Sequence, residues 1–149
     1  VMDRADHVDV IVMAAAVADY TPAGGAVDGK IEKAGALTLA LERTRDILAD
    51  LGARRGDADR PVLVGFAAQA GDPVDAARRK LQAKRVDLIV ANDISAADSG
   101  FDVPTNQVTF VADDDVSALP VLPKREVAAA LFDRIERRLA RHAAVPAAR

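Results

Sequence analysis

Cysteine and tryptophan are absent from this 149-residue chain, and its two histidines, His7 and His142, lie near opposite ends. Without cysteine there is no disulfide framework and no thiolate metal site, and nothing ties the chain to an oxidising compartment. Two distant histidines argue against an imidazole metal cluster. Aromatic residues are only 3%, so the core has to be built from Val, Leu, Ile and Ala, a composition that suits parallel strands covered by helices. No apolar run approaches the roughly 20 residues of a membrane span, and the first residues lack the basic-then-apolar order of a signal peptide. No G-x-G-x-x-G or Walker-type segment occurs, which weighs against a dinucleotide-dependent dehydrogenase. The net charge is -3, without the broad basic face that phosphate binding at many sites requires. These exclusions leave one cytoplasmic domain of ordinary size, with neither nucleic acid nor membrane as partner.

The most informative stretch is residues 10–33, VIVMAAAVADYTPAGGAVDGKIEK. An apolar run closes on small side chains and then on Asp19, and a loop containing Pro22 delivers Lys30 and Lys33. A buried strand that stops at small residues lets a ligand approach the backbone, while the loop beyond supplies charge. Ligand sites of α/β sheets are built this way at strand ends.

Elements alternate along the chain. Residues 1–7 look like the end of a helix, 9–15 read as a buried strand, 16–29 as a long loop, and 37–41 as a short strand with alternating apolar side chains. Thr44 is positioned to cap a helix with Asp46 in its first turn, running to about Arg55 and ended by Gly56. Residues 59–61 turn into a second buried strand, 62–67. Asp72 caps the next helix with Pro73 at its first position; it runs to about Arg85 and carries Lys80 and Lys84 on one face. Residues 87–91 form a third buried strand, closing at Asn92 and Asp93. The period then changes. Residues 106–111 alternate as an antiparallel strand does and pair with 118–122 across the acidic turn 113–115. Pro123 introduces a helix over about 124–141 in which Val127, Leu131, Ile135 and Leu139 recur every four residues. An Ala-rich tail from Ala143 frays.

The 20 basic residues comprise 15 arginines and five lysines: Lys30, Lys33, Lys80, Lys84 and Lys124. In a chain that defaults to arginine, a lysine marks a spot suited to a compact ammonium with rotatable donors, as phosphate or a developing oxyanion requires. On the residues alone, each candidate also has a plainer reading. Asp19 can cap a turn, Lys30 and Lys33 can belong to a solvated loop, and Lys80 and Lys84 to a solvated helix face. Phe66 can be core, and Asn92 and Asp93 can simply end a strand. The run 113–115 reads as a hairpin turn, because no further metal ligand stands at a recognisable spacing.

Taken in order, several segments resemble one family. They are AAAVADY (14–20), KIEK (30–33), RDIL (45–48), VGFAAQ (64–69), the Lys80/Lys84 spacing, VDLIVAND (86–93), Gly100 with Phe101, Asn106, and the closing ALPVLPKREVAAALFDRI. This set covers nearly the whole chain and is similar to the C-terminal portion of phosphopantothenate–cysteine ligase of coenzyme A synthesis, in most bacteria the second half of a bifunctional protein. The resemblance implies a Rossmann-like α/β fold: a parallel sheet with helices on both faces and a projecting antiparallel hairpin, lacking the family's N-terminal βα units. Residues 1–142 would be the CTP-binding ligase domain and 143–149 a tail.

The implied reaction uses CTP and Mg²⁺ to convert 4'-phosphopantothenate to an acyl-cytidylate with release of pyrophosphate, after which the amine of cysteine displaces CMP. FMN would enter only with a fused decarboxylase half, which is not in this chain. The resemblance assigns nucleotide binding to Met13, Ala14, Ala15, Asp19, Lys30, Arg45, Asp46, Ile47, Leu48, Phe66, Lys80 and Lys84, a catalytic role to Lys30, no protein metal ligands, and a homodimer through residues 100–111. Two departures stand out. Thr44 and Arg45 replace the usual asparagine and proline before Asp46, and the family's Gly-Gly-Thr loop and Ser-Ser-Gly-Lys-Met-Gly helix start have no counterpart. A noncatalytic nucleotide-binding or dimerising fragment is therefore the alternative.

Overall fold

The computed structural model describes residues 1–26, 28–30, 35–69, 72–93 and 103–144. A 3₁₀ helix, Met2–His7, precedes β1 (Val10–Met13). There follow β2 (Tyr20–Pro22), β3 (Leu41–Arg43), α1 (Ile47–Arg55), β4 (Val62–Gln69), α2 (Val74–Lys84) and β5 (Leu88–Asp93). Four short strands, β6 (Thr105–Asn106), β7 (Val108–Val111), β8 (Val116–Ala118) and β9 (Leu122–Pro123), lead into α3 (Lys124–Ala144).

The central sheet has the order β1-β4-β5-β7-β8. Strands β1, β4 and β5 are parallel, β7 runs antiparallel to β5, and β8 antiparallel to β7. Because strand side chains alternate between faces, each central strand feeds two cores. Ile11, Leu63, Ala67, Ile89, Ala91 and Val111 pack with Leu48 and Leu51 of α1 and Ala77 and Leu81 of α2. Val62, Val64, Leu88, Val90, Val108 and Phe110 pack with Val127, Leu131 and Ile135 of α3. Full burial of each Val, Leu, Ile or Phe among them contributes about 1.5–3 kcal/mol, and the four-residue repeat of α3 is what holds that helix on the sheet. Helices thus cover both faces, as the sequence implied.

Two glycines allow the close contacts on the α1/α2 side. A Cβ at Gly65 of β4 would lie 2.6 Å from Leu48 Cδ2, and one at Gly52 of α1 would lie 1.9 Å from the carbonyl oxygen of Lys84. Gly52 therefore lets α1 rest directly on the end of α2.

Several expected boundaries move. The 16–29 loop contains β2, and the strand expected at 37–41 begins only at Leu41, pairing with β2 through Tyr20↔Arg43 and Pro22↔Leu41. Leu37, Leu39 and Leu41 are all exposed, so their alternation did not mark burial. The 106–111 strand is divided at Gln107: Asn106 pairs with Leu122 of β9, whereas Val108–Val111 joins the main sheet. The first seven residues form a 3₁₀ rather than an α-helical end, with Ala5 buried. Among the described residues, no helix is long and apolar enough to cross a membrane.

At the amino ends of the strands, Asp87 is buried just before β5. Its carboxylate accepts from Arg55 Nη1, from Arg138 Nη2 at 2.7 Å and from the Leu63 amide at 2.7 Å, while Arg55 Nη2 donates to the Arg85 carbonyl. One carboxylate thereby ties α1, α3 and the sheet together.

Candidate functional site

At the opposite, carboxyl ends of β1 and β4 the chain leaves the sheet through Ala14, Ala15, Ala16, Val17 and Ala18. Their small side chains leave an opening bounded by the start of α1 and the last turns of α2. This polar cleft, of about 320 Å³, is lined by Met13, Ala15 and Asp19, by Arg45, Asp46, Ile47 and Leu48, by Phe66, and by Lys80 and Lys84. Ten of the twelve residues proposed from sequence meet there. Ala14 faces a neighbouring cleft, and Lys30, exposed in its loop, lines neither.

The cap of α1 differs from the expectation. Asp46, not Thr44, is the N-cap, its Oδ1 accepting from the Ala49 amide at 3.0 Å. Thr44 instead ties down the Asp19 loop: its hydroxyl donates to the Ala18 carbonyl, and its amide donates to the Asp19 carbonyl at 3.0 Å. The fixed geometry of Asp19 therefore depends on a residue that sequence reasoning assigned to a helix. Pro73, likewise, stands at the N-cap and not at the first helical position, while Asp72 Oδ1 accepts from the Val74 amide at 3.0 Å.

The charges of the cleft are not equivalent. Lys84 Nζ lies 3.0 Å from Asp46 Oδ2 and 3.2 Å from Oδ1. Arg45 Nε is paired with Asp50. Lys80 and Asp19 have no side-chain hydrogen bond or ion pair among the described residues. Partial burial works to raise the Asp46 carboxyl, but the Ala49 amide, the Lys84 ammonium and the Leu48 amide outweigh it and hold the group below its ordinary value. Asp46 is thus a carboxylate across the neutral range, and Lys80 is, among the described residues, the cleft lysine without a side-chain partner.

A second cleft, of about 460 Å³, lies on the α3 side. Val12, Ala14, Val127, Leu131 and Phe132 make its apolar walls, and Asn92, Asn106 and Lys124 add polar groups. The two clefts share Ala15, Ala16, Phe66 and Ala68. Phe66, expected as core or ligand wall, is 38% exposed and lines both clefts. Lys33, Gly100 and Phe101 lie outside the described residues. Among the described residues, no group of three or more His, Cys, Asp or Glu could hold a metal ion.

A sheet with parallel strands covered by helices on both faces, and clefts at the carboxyl ends of those strands, makes this an α/β domain of the Rossmann-like class, in which ligands bind at that end of the sheet. The chain belongs to the family of the DNA/pantothenate metabolism flavoprotein C-terminal domain, whose profile matches residues 1–139. It is 43% identical over 132 residues to the coenzyme A biosynthesis bifunctional protein CoaBC of Bacillus subtilis, covering 87% of this chain and 32% of that protein. Identity to CoaBC of Vibrio vulnificus (strain YJ016) is 35% over 138 residues, covering 91% and 34%. A crystal structure of the C-terminal domain of CoaBC matches with a TM-score of 0.70 at 36% identity, over 93% of this chain and 59% of that one. The chain spans 32% to 34% of the length of these two curated relatives. The family resemblance and the α/β fold read from the sequence are both borne out.

Proposed function

We propose that this chain is the CTP-binding portion of a phosphopantothenate–cysteine ligase acting in cytoplasmic coenzyme A synthesis. The observation that carries the reading is the convergence of ten residues named by the family resemblance, from four stretches of sequence, on one polar cleft. The backbone of Met13 to Ala15 and the carboxylate of Asp19 would recognise base and sugar, and Lys80 and Lys84 would meet the triphosphate.

The apolar cleft suits 4'-phosphopantothenate, whose methyl groups match its aliphatic walls and whose amide matches Asn92 and Asn106. Its carboxylate would then reach the shared rim at Ala15 and Phe66, next to the nucleotide. A carboxylate oxygen attacks the α-phosphorus of CTP and pyrophosphate leaves; the cysteine amine then attacks the acyl carbon and CMP leaves. Holding both reactants at one rim makes each attack effectively intramolecular, and cations at the triphosphate stabilise the charge that develops on the leaving group. Lys30 is assigned the charge-stabilising role at the α-phosphate, which requires its loop to approach the cleft.

Mg²⁺ would arrive with the triphosphate, since this ion is ordinarily held by one or two carboxylates together with substrate phosphates. With Asp19 assigned to base and sugar, the triphosphate itself and water would hold the ion.

The homodimer is part of the same reading. Of the region 100–111, residues 100–102 lie outside the described residues, and Val108, Phe110 and Val111 are fully buried. The β2–β3 pair supports a better pairing surface: Tyr20 and Leu41 within it, and Leu37 and Leu39 beside it, are all more than half exposed, and a two-stranded ribbon has free edges on which a second copy can add.

Calorimetric titration of CTP with Mg²⁺, with ATP for comparison, followed by pyrophosphate release with 4'-phosphopantothenate, tests the proposal. Selective CTP binding with release supports the ligase. Binding without release marks a nucleotide-binding fragment, and absence of binding overturns the assignment of the polar cleft.

A further inference from the structure

Lys80 and Lys84 lie one turn apart on α2 and line the same cleft, yet among the described residues only Lys84 is engaged. Its partner, Asp46, has two separable tasks. One is the cap of α1, made with the Ala49 amide at 3.0 Å. The other is the contact with the Lys84 ammonium. The cap anchors the carboxylate to the backbone, whereas Lys84 is the last residue of α2, on a flexible stem with three rotatable donors. The ammonium can therefore leave without uncapping the helix.

The position of Asp46 also matters. A helix N-terminus is where an incoming phosphate is most favoured electrostatically, and here a resident carboxylate already stands there, holding one of the two lysines of the cleft. We infer that Asp46 is a built-in competitor of the nucleotide: it occupies Lys84 in the empty site, and a phosphate group of the ligand must displace it. This inference rests on the nucleotide reading of the cleft and adds a specificity-determining residue to it. Lys80 makes the first contact. Lys84 transfers from Asp46 to the ligand only when the ligand offers more negative charge than the single carboxylate. The pair is 29% and 50% exposed at its two side chains, within the range of ion pairs that a charged ligand can open.

The test is calorimetric titration of CTP with Mg²⁺ into the 149-residue chain, its Asp46→Asn variant, Lys84→Met and the double variant. Asparagine keeps an acceptor for the α1 cap while removing the charge. Asp46→Asn should tighten CTP binding about two- to fivefold, the range spanned by an exposed ion pair. Lys84→Met alone should weaken CTP binding, because the ligand contact it removes outweighs the pair that no longer has to open, but by less than the same change does in the Asp46→Asn background, where there is no pair to open. In the Asp46→Asn background, Lys84→Met should erase the gain, a coupling that independent sites would not show. Asp46→Ser, which also caps, repeats the test should the asparagine variant fold poorly.

Weaker or unchanged CTP binding in both capped variants would overturn the inference while leaving the nucleotide reading intact. An equal gain with and without Lys84 would replace competition by simple repulsion and overturn it as well. No CTP binding by any of the four proteins would remove the nucleotide reading and this inference together.

Discussion

Asp87 and Asp46 sit at opposite ends of the same sheet, and both bridge helices with basic partners. Asp87 is 8% exposed and holds Arg55, Arg138 and the Leu63 amide. Asp46 is half exposed and holds the Ala49 amide and one lysine. Burial separates their roles. A carboxylate taken out of water must keep every partner, because an orphaned charge there has nothing to solvate it. A carboxylate left in water can exchange partners at little expense. The amino end of the sheet is therefore where the fold is locked, and the carboxyl end is where a ligand can enter.

The strongest way to break this comparison is Asp87→Ala. It strands Arg55, whose side chain is 9% exposed, and should destabilise the domain by about 3–5 kcal/mol in urea unfolding, the usual result of removing one partner from a buried pair. A loss below about 1 kcal/mol would place Asp87 with the dispensable surface pairs. Gly52→Ala comes next. The added Cβ would fall 1.9 Å from the Lys84 carbonyl oxygen, so α1 and α2 must separate, at a cost of about 1–3 kcal/mol and with displacement of Asp46 from Lys84. Full stability in this variant would show that the close approach is not needed.

At the ligand end, stability and binding should come apart. Lys80→Ala should leave the unfolding midpoint unchanged while weakening CTP about tenfold, near 1.4 kcal/mol, the low end for hydrogen bonds to charged groups. Equal CTP affinity would remove Lys80 from the site. Asp46→Ala removes the α1 cap and should cost about 1 kcal/mol.

The smallest effect concerns acid. The Asp46 carboxyl is held below its ordinary value of 3.8, so the unfolded chain takes up its proton first as pH falls, and the stability it contributes is complete above that value and lost as pH drops through the lower folded one. The stability difference between the native chain and Asp46→Asn should be constant from pH 7 to about 5 and shrink below about 4. A difference independent of pH would mean that the charge of Asp46 plays no part.

Much of this was legible from residue order. The buried strands at Val62 and Leu88 announced themselves as apolar runs, as did β1, which proves to be a shorter, half-buried edge strand; α3 was marked by its four-residue repeat, and the end of α1 by Gly56. The residues of the polar cleft were named through family resemblance, and ten of those twelve, far apart in sequence, line one cleft. The roles of Thr44, Gly52 and Asp87 were not legible. Thr44 has the chemistry of a cap but lies two residues before the actual N-cap, where the Asp19 loop supplies carbonyls for it to bind. Gly52 resembles any helical glycine until a second helix arrives against it, and Asp87 resembles any strand-end acid until two arginines from distant helices converge on it.

The sequence by itself determined the three parallel strands β1, β4 and β5, the helices α1 to α3 and the inward face of α3, since periodicity and side-chain chemistry act over a few residues; the short strands β2, β3, β6 and β9 it did not. Only the tertiary structure decided which charges are neutralised. Among the described residues it left Lys80 without a partner and engaged Lys84, buried one aspartate and exposed another, because those outcomes depend on what other segments bring to the same few ångströms, and no local pattern encodes that meeting.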